Sequence, residues 1–173
     1  MIQILEDVKV LDLSVALAGP YCSMLLADIG AEVVKVEQPN VGDISRQWGP
    51  PFIGGESAYF LSVNRNKKSV TLNLKTDMGR EILYKLVKLS DVFLESYRPG
   101  TTMELRVDYD TISKINPHIV YCSISGFGQT GPYRERPGFD LIAQAMGGIM
   151  SITGEEGRPP VKVGVAIADI GAG

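Results

Sequence analysis

The feature that most constrains this chain is the alternation of short apolar runs with helical segments along its length. Runs of β-branched and apolar residues bounded by turn residues predict strands at residues 8–13, 32–37, 69–74, 91–96 and 118–124. Helical spacing and capping residues predict helices at residues 21–29, 76–89, 110–115 and 140–150. Strands that alternate with helices predict an α/β domain with a mostly parallel sheet.

The first strand, helix and strand form a parallel crossover unit. Pro20 is suited to the first turn of the helix, and Gly30 is suited to close it. The expected fold is therefore Rossmann-like: an open, mostly parallel sheet with helices on both faces. Ligands of such sheets bind outside the carboxyl ends of the strands.

The loops that follow the strands are accordingly where a ligand site is expected. They are residues 14–20, 37–48, 73–76, 96–101 and 125–139. Residues 38–66 are rich in Pro, Gly, Asn and Ser, and they predict one long irregular loop. Loops of that length in a compact domain usually serve function or assembly. Trp48 lies in this loop, and its role there, core or interface, is left open by the sequence.

Composition excludes several classes of function. The chain of 173 residues suggests one domain, and its net charge of −3 gives no basic excess for a nucleic-acid partner. Two cysteines and one histidine, without metal-ligand spacing, predict no metal site, and two free thiols suit the reducing cytoplasm. No signal peptide is expected, and the apolar runs are too short to span a membrane.

Asp169 is the most prominent candidate for chemistry. It ends an apolar run and is followed by small residues in the stretch 165–173. If residues 161–168 form a strand, Asp169 lies with the ligand-binding loops at the carboxyl edge of the sheet. The alternative is a structural role as a helix cap.

Two other patterns have competing interpretations. Residues 126–131 match the dinucleotide fingerprint G-x-G-x-x-G. Pro132 and Pro137 prevent the helix that a nicotinamide site requires directly after this motif. The glycines instead favour a loop whose backbone a ligand or a partner chain can approach closely. The basic stretch 64–69 fits a solvated sheet edge or a phosphate patch. Arg98, just after a predicted strand, favours a ligand contact.

Taken in order, the motifs resemble the N-terminal part of a class III CoA-transferase, the family that includes formyl-CoA transferase, carnitine CoA-transferase and α-methylacyl-CoA racemase. The resemblance covers the whole chain. The motifs that carry it are residues 10–14, 18–20, 25–37, Gly42-Asp43 with Arg46, 64–69, 98–100, 125–132 and 138–140.

The resemblance implies that Asp169 is the nucleophile of an acyl-CoA:carboxylate CoA-transferase. Asp169 would form an aspartyl–acyl anhydride and then an aspartyl-CoA thioester, so coenzyme A is a substrate and no tightly bound cofactor is expected. The partners would be an acyl-CoA donor and a carboxylic acid acceptor. A racemase-like enzyme and a non-catalytic CoA-binding module remain alternatives.

The resemblance also implies a set of residues at the CoA site, drawn mainly from the loops that follow the strands. They are Leu17, Ala18, Gln38, Leu72, Asn73, Leu74, Lys75, Ser96, Tyr97, Arg98, Arg106, Phe139 and Asp140.

Some positions depart from the family pattern. Leu17 stands where formyl-CoA transferases have glutamine, which argues against formate and oxalate. Glu104 replaces an arginine that contacts CoA in relatives, although Arg106 is nearby. Phe139 replaces the histidine base of the racemase, which favours the transferase.

Relatives in this family are at least twice as long. The resemblance therefore implies that residues 1–173 are the N-terminal part of a CoA-binding large domain, without the smaller C-terminal domain and the segment that returns to the first domain. Full-length relatives form interlocked homodimers. We expect the isolated chain to be inactive.

Overall fold

The protein contains one central parallel sheet and a small hairpin. The computed structural model describes residues 3–173. The strands are β1 (Lys9–Asp12), β2 (Glu32–Glu37), β3 (Phe52–Ile53), β4 (Glu56–Ser57), β5 (Lys67–Thr71), β6 (Val92–Glu95) and β7 (Val120–Ser123). The central sheet has the order β5-β2-β1-β6-β7 and every neighbouring pair is parallel, whereas β3 and β4 form an antiparallel hairpin.

The helices lie between these strands and after the last of them. They are α1 (Ala18–Asp28), α2 (Ala58–Val63), α3 (Asp77–Val87), α4 (Thr101–Glu104), α5 (Tyr109–Ile115), α6 (Asp140–Met146) and α7 (Ile167–Ala172), with 3₁₀ turns at Ile44–Gln47 and Ile149–Ile152. No helix within residues 3–173 is long and apolar enough to cross a bilayer.

Helices cover both faces of the sheet because successive strand residues point to opposite sides. On one face, Val10 packs with Ala27 of α1. On the other face, Leu11 packs with Leu83 of α3 and Ile112 of α5 in the larger core. The fold is therefore the α/β arrangement that the sequence predicts, with the parallel sheet enclosed between two layers of helices.

The prediction of one irregular loop at residues 38–66 is wrong in detail, since this segment contains a 3₁₀ turn, the β3–β4 hairpin and α2. Single side chains begin its short helical segments: Asp43 accepts the N–H of Ser45, and Ser57 accepts those of Tyr59 and Phe60. Such short elements are stabilised by individual capping residues and show no extended hydrophobic periodicity. They are therefore hard to predict in a segment that is rich in Pro and Gly.

Two further boundaries differ from expectation. β5 covers 67–71 instead of 69–74, because the Lys67 side chain turns inward to pair with Asp12 and the chain leaves the sheet after Thr71. Residues 161–166 form no strand or helix, and α7 begins at Ile167. Asp169 therefore lies in the first turn of a helix, neither at the end of a strand nor at the N-cap position, which Ala166 occupies.

Candidate functional site around Asp169

Asp169 is held beside the start of α1. Ala166 and Ile170, on either side of it, pack against a cluster that includes the buried side chain of Leu17. At the end of α7, Gly173 approaches the Ala18 backbone so closely that a Cβ there would overlap the Ala18 carbonyl. Since α1 begins just after β1, this packing places α7 at the carboxyl edge of the sheet, where ligands of parallel sheets bind.

Asp140 and Gln144 of α6 hold the chain that leads into α7. Asp140 Oδ1 accepts the N–H of Ala168 at 2.9 Å, and its Oδ2 accepts from Gln144 Nε2 at 2.6 Å. Gln144 Oε1 accepts the N–H of Val163 at 2.8 Å, and Nε2 also donates to the Val165 carbonyl at 3.3 Å. Both oxygens of Asp140 are thus engaged within the protein.

The electrostatic setting makes the Asp169 carboxyl a weaker acid than usual. Partial burial raises its pKa, and the neighbouring negative charge of Asp140 raises it further. A carboxylate in such surroundings is more basic when it ionises, which favours attack on an electrophile.

Tyr59 is a site residue that the sequence did not reveal. Tyr59 packs in the same cluster as Ala166 and Ile170, which lie on either side of Asp169. Burial raises the pKa of its phenol, and so do the charges of Asp169, Asp43 and Asp140. The edge of the ring meets Trp48, with 5.0 Å between centroids. Ser57, which caps α2 two residues before Tyr59, is the one local signal that could have placed this tyrosine on a helix.

Below the site, four buried charged side chains form a frame. Lys35 Nζ lies 2.9 Å from Asp43 Oδ2, and Lys67 Nζ lies 3.2 Å from Asp12 Oδ2. Lys35 also donates to the Ser14 carbonyl at 2.7 Å. The Lys35–Asp43 pair ties the loop after β2 to the sheet, and the bond from Lys35 to Ser14 does the same for the loop after β1. The Lys67–Asp12 pair links β5 to β1.

Glu37 and Arg46 form a second, adjacent link. Arg46 donates through Nε and Nη2 to the two oxygens of Glu37, at 2.7 and 2.8 Å, and its guanidinium lies over Phe60. Burial raises the pKa of Glu37, but the bonds from Arg46, Ser69 and the Asp43 N–H outweigh it and hold that pKa at about 2. This pair connects β2 to the segment that carries Trp48 and Tyr59.

The residues expected at the CoA site fall into two groups. The loops that follow neighbouring strands bring together Leu17 and Ala18 after β1, Gln38 after β2, residues 72–75 after β5 and residues 96–98 after β6. Ser96 Oγ accepts the N–H of Val15 at 3.0 Å and joins two of these loops directly. Phe139 and Asp140 instead lie at the start of α6, on the Asp169 side.

The residues expected at the CoA site differ in whether their side chains are exposed and can contact a ligand. Gln38, Asn73, Lys75 and Arg98 are exposed, whereas the side chains of Leu72 and Leu74 belong to the main core. Exposed Arg106 follows α4, and its Nη1 lies 3.9 Å from Asp77 Oδ1. Beside Gln38 a pocket of about 280 Å³ is also lined by Arg46 and Thr71.

The glycine-rich loop has a structural explanation. Residues 126–131 are not followed by a helix before α6, so the dinucleotide interpretation is unsupported. Gly126 and Gly138 meet backbone to backbone, and a Cβ on either would overlap the other's Cα. This contact holds together the two ends of the loop 126–138, which we call the loop neck. Within residues 3–173 no group of three or more His, Cys, Asp or Glu side chains is arranged to hold a metal.

Comparison with known proteins decides the family. A sequence model of CoA-transferase family III matches residues 5–173. The chain belongs to CoA-transferase family III. It is 54% identical over 169 residues to succinyl-CoA:glutarate CoA-transferase of Mus musculus, and the match covers 98% of this chain and 39% of that protein. It is 45% identical over 175 residues to succinate–glutarate CoA-transferase of Agrobacterium fabrum, covering 98% and 44% of the two chains.

Solved structures agree with this assignment. A CAIB/BAIF family protein from Brucella suis has a TM-score of 0.94 and 48% identity, with 98% of this chain and 46% of that chain covered. The chain thus spans about two fifths of the length of the curated relatives above.

Proposed function

We propose that this chain is the N-terminal portion of an acyl-CoA:carboxylate CoA-transferase in which Asp169 is the nucleophile. The observation that carries the proposal is the setting of Asp169: a half-buried carboxylate with a raised pKa, packed beside the start of α1 at the carboxyl edge of the sheet. Membership of CoA-transferase family III supports the reaction class.

The proposed reaction proceeds through covalent intermediates. Asp169 attacks the thioester carbon of the donor, the C–S bond breaks, and CoA leaves as a thiolate from a mixed anhydride. The thiolate then attacks the aspartyl carbonyl, and the donor acid departs with one oxygen that came from Asp169. A carboxylate can divide one difficult exchange into easier steps in this way.

The second half repeats these steps with the acceptor. Its carboxylate attacks the aspartyl-CoA thioester and expels the thiolate, which gives a second anhydride. The thiolate attacks the acceptor carbonyl, so the new acyl-CoA leaves and Asp169 is restored with one oxygen from the acceptor. No step requires a histidine, which suits a chain with a single one.

We further propose that the donor is succinyl-CoA and that the acceptor is glutarate or a related dicarboxylic acid. The names of several similar proteins support this choice, including succinyl-CoA:glutarate and succinyl-CoA:mesaconate CoA-transferases. For CoA itself we propose the strand-end residues named above. The pocket beside Gln38, which Thr71 also lines, supports a nucleotide position there. Asn73 and Lys75 follow Thr71 in the chain, and their side chains are exposed.

Chemical trapping tests the nucleophile. The full-length protein that carries this chain is mixed with a panel of acyl-CoA donors and then with hydroxylamine, which converts an aspartyl anhydride or thioester into a hydroxamate. We expect a hydroxamate on Asp169 with succinyl-CoA. An Asp169→Asn variant should give none, and an Asp110→Asn variant, changed at an exposed carboxylate of α5, should behave as the unmodified protein. A protein that binds CoA and transfers it without labelling Asp169 would refute the proposal.

Assembly and location remain predictions. We propose that the full-length protein is an interlocked homodimer, which light scattering of the purified protein tests; a monomer with full activity would exclude it. We also propose that residues 1–173 alone are inactive and that the full-length protein is cytoplasmic.

A further inference from the structure

The start of α7 is capped from a distant part of the chain. Ala166 at the N-cap position has no side chain that can accept a hydrogen bond. Asp140, 28 residues earlier, supplies that acceptor to the N–H of Ala168, the residue directly before Asp169. A helix of six residues is too short to be stable by itself, so its position depends on such tertiary contacts.

Gln144 extends this attachment to the approach segment. Its side chain is 1% exposed, and its amide makes three contacts: with Asp140, with the N–H of Val163 and with the carbonyl of Val165. A rearrangement of the segment would leave several of these buried polar groups unpaired, which is energetically unfavourable. The buried amide therefore permits one arrangement of residues 163–168.

We propose that Asp140 and Gln144 form a clasp that fixes the first turn of α7 and so positions the Asp169 carboxylate for attack on the thioester. Both are positioning residues, and the inference rests on the proposed function of Asp169. No other side chain of the described residues donates to or accepts from the backbone of residues 163–169, apart from Lys162, which reaches carbonyls at 163 and 164.

The clasp also affects the pKa of Asp169. Five ionisable groups lie on the elements packed against α7. They are Asp140 on α6, Tyr59 on α2, and Tyr21, Cys22 and Asp28 on α1, where Asp28 is at the far end of the helix and pairs with Arg65. Of these, Asp140 carries the charge that raises the pKa of Asp169, after burial. Its removal should lower that pKa.

The test uses two variants of the full-length protein. Gln144→Met keeps the length of the side chain and removes all three polar contacts. Asp140→Asn keeps an oxygen for the Ala168 N–H and removes the charge, and it also replaces the oxygen that accepts from Gln144 with an NH₂ group. The matched control is Asn116→Leu, because Asn116 also ties backbone groups together through its amide, at the Val87 and Ser90 carbonyls on the opposite helical layer.

Three quantities are measured: hydrogen exchange of the Ala168 amide, the rate of hydroxamate formation on Asp169, and the Kd for CoA. For Gln144→Met we expect faster exchange at Ala168 and a rate about a hundredfold lower, the usual effect of a displacement of about 1 Å, with an unchanged Kd. For Asp140→Asn we expect the acidic midpoint of the trapping rate to move to lower pH. Asn116→Leu should change none of these.

A trapping rate within twofold of the unmodified protein for Gln144→Met, or an unmoved midpoint for Asp140→Asn, overturns the inference. Failure of the proposed function looks different, because the unmodified protein itself would then form no adduct on Asp169. In that case the exchange rate at Ala168 alone decides whether the clasp holds α7: unchanged exchange in Gln144→Met refutes it.

Discussion

The buried pair of Lys35 and Asp43 should be the most sensitive electrostatic contact in the frame beneath the site. The side chains are 2% and 0% exposed, and the charged atoms are 2.9 Å apart. In Asp43→Asn, an oxygen remains for the N–H and hydroxyl of Ser45, but Lys35 loses its counter-charge while still buried. Leaving one partner of a buried pair uncompensated costs about 3–5 kcal/mol.

Hydrogen exchange of the β1 and β2 amides measures this loss, because it reports the free energy of opening without requiring the whole protein to unfold in one step. The expected decrease is a factor of about 10² to about 4 × 10³ in protection, from about 3–5 kcal/mol at about 1.4 kcal/mol per factor of ten. The control is Asp28→Asn, since Asp28 pairs with Arg65 at the surface and such pairs contribute less than about 1 kcal/mol.

The double variant Lys35→Met with Asp43→Asn completes the cycle. It should lose less stability than the sum of the two single variants, because neither charge is then left unpaired. If Asp43→Asn costs no more than Asp28→Asn, or if the two changes are additive, the argument from buried charge is refuted.

Three further outcomes are expected. Glu37 has a pKa of about 2 in the folded protein, below its ordinary 4.5, so it contributes about 3 kcal/mol to stability above pH 4.5, and this contribution is lost as the pH falls towards 2. Arg46→Met should make stability in acid denaturation depend less on pH, and an unchanged pH dependence would count against the assignment. Gly126→Ala should displace Gly138 and loosen the loop neck, seen as faster proteolysis within residues 126–138; equal cleavage rates would contradict this. Leu83→Ala, at a fully buried position, should cost about 2–5 kcal/mol of opening free energy by exchange, and a loss below 1 kcal/mol would show that the core is not packed there as described.

Sequence patterns predicted the parallel sheet well, because most of its strands lie within apolar runs that are bounded by turn residues. The run 32–37 coincides with β2, and Val92–Glu95 lies within the expected strand. The same patterns placed Gln38 and Arg98 at the carboxyl edge of the sheet. These are local signals. In a parallel α/β fold, the residues that follow the strands lie at the carboxyl edge of the sheet, so the position of a residue after a strand predicts its place in the structure.

The surroundings of Asp169 could not be predicted in that way. The segment before it contains Val, Ile and Ala, which suit a strand, and its helix is capped by Asp140 through a contact that no local pattern records. Tyr59 was missed for a related reason, since it lies on a helix of six residues that depends on one serine cap. The role of Asp169 was expected from the family resemblance, and its place in a helix came only from the structure.

The most direct test of the central claim follows the oxygen atoms. The full-length protein turns over with succinyl-CoA and an acceptor acid whose carboxylate carries the heavy oxygen isotope, and the peptide containing Asp169 is then weighed by mass spectrometry. The covalent mechanism predicts one heavy oxygen in the Asp169 carboxylate after a single turnover, and a second can enter in later turnovers when the remaining light oxygen makes the attack. Complete turnover with no heavy oxygen in that peptide would contradict the account.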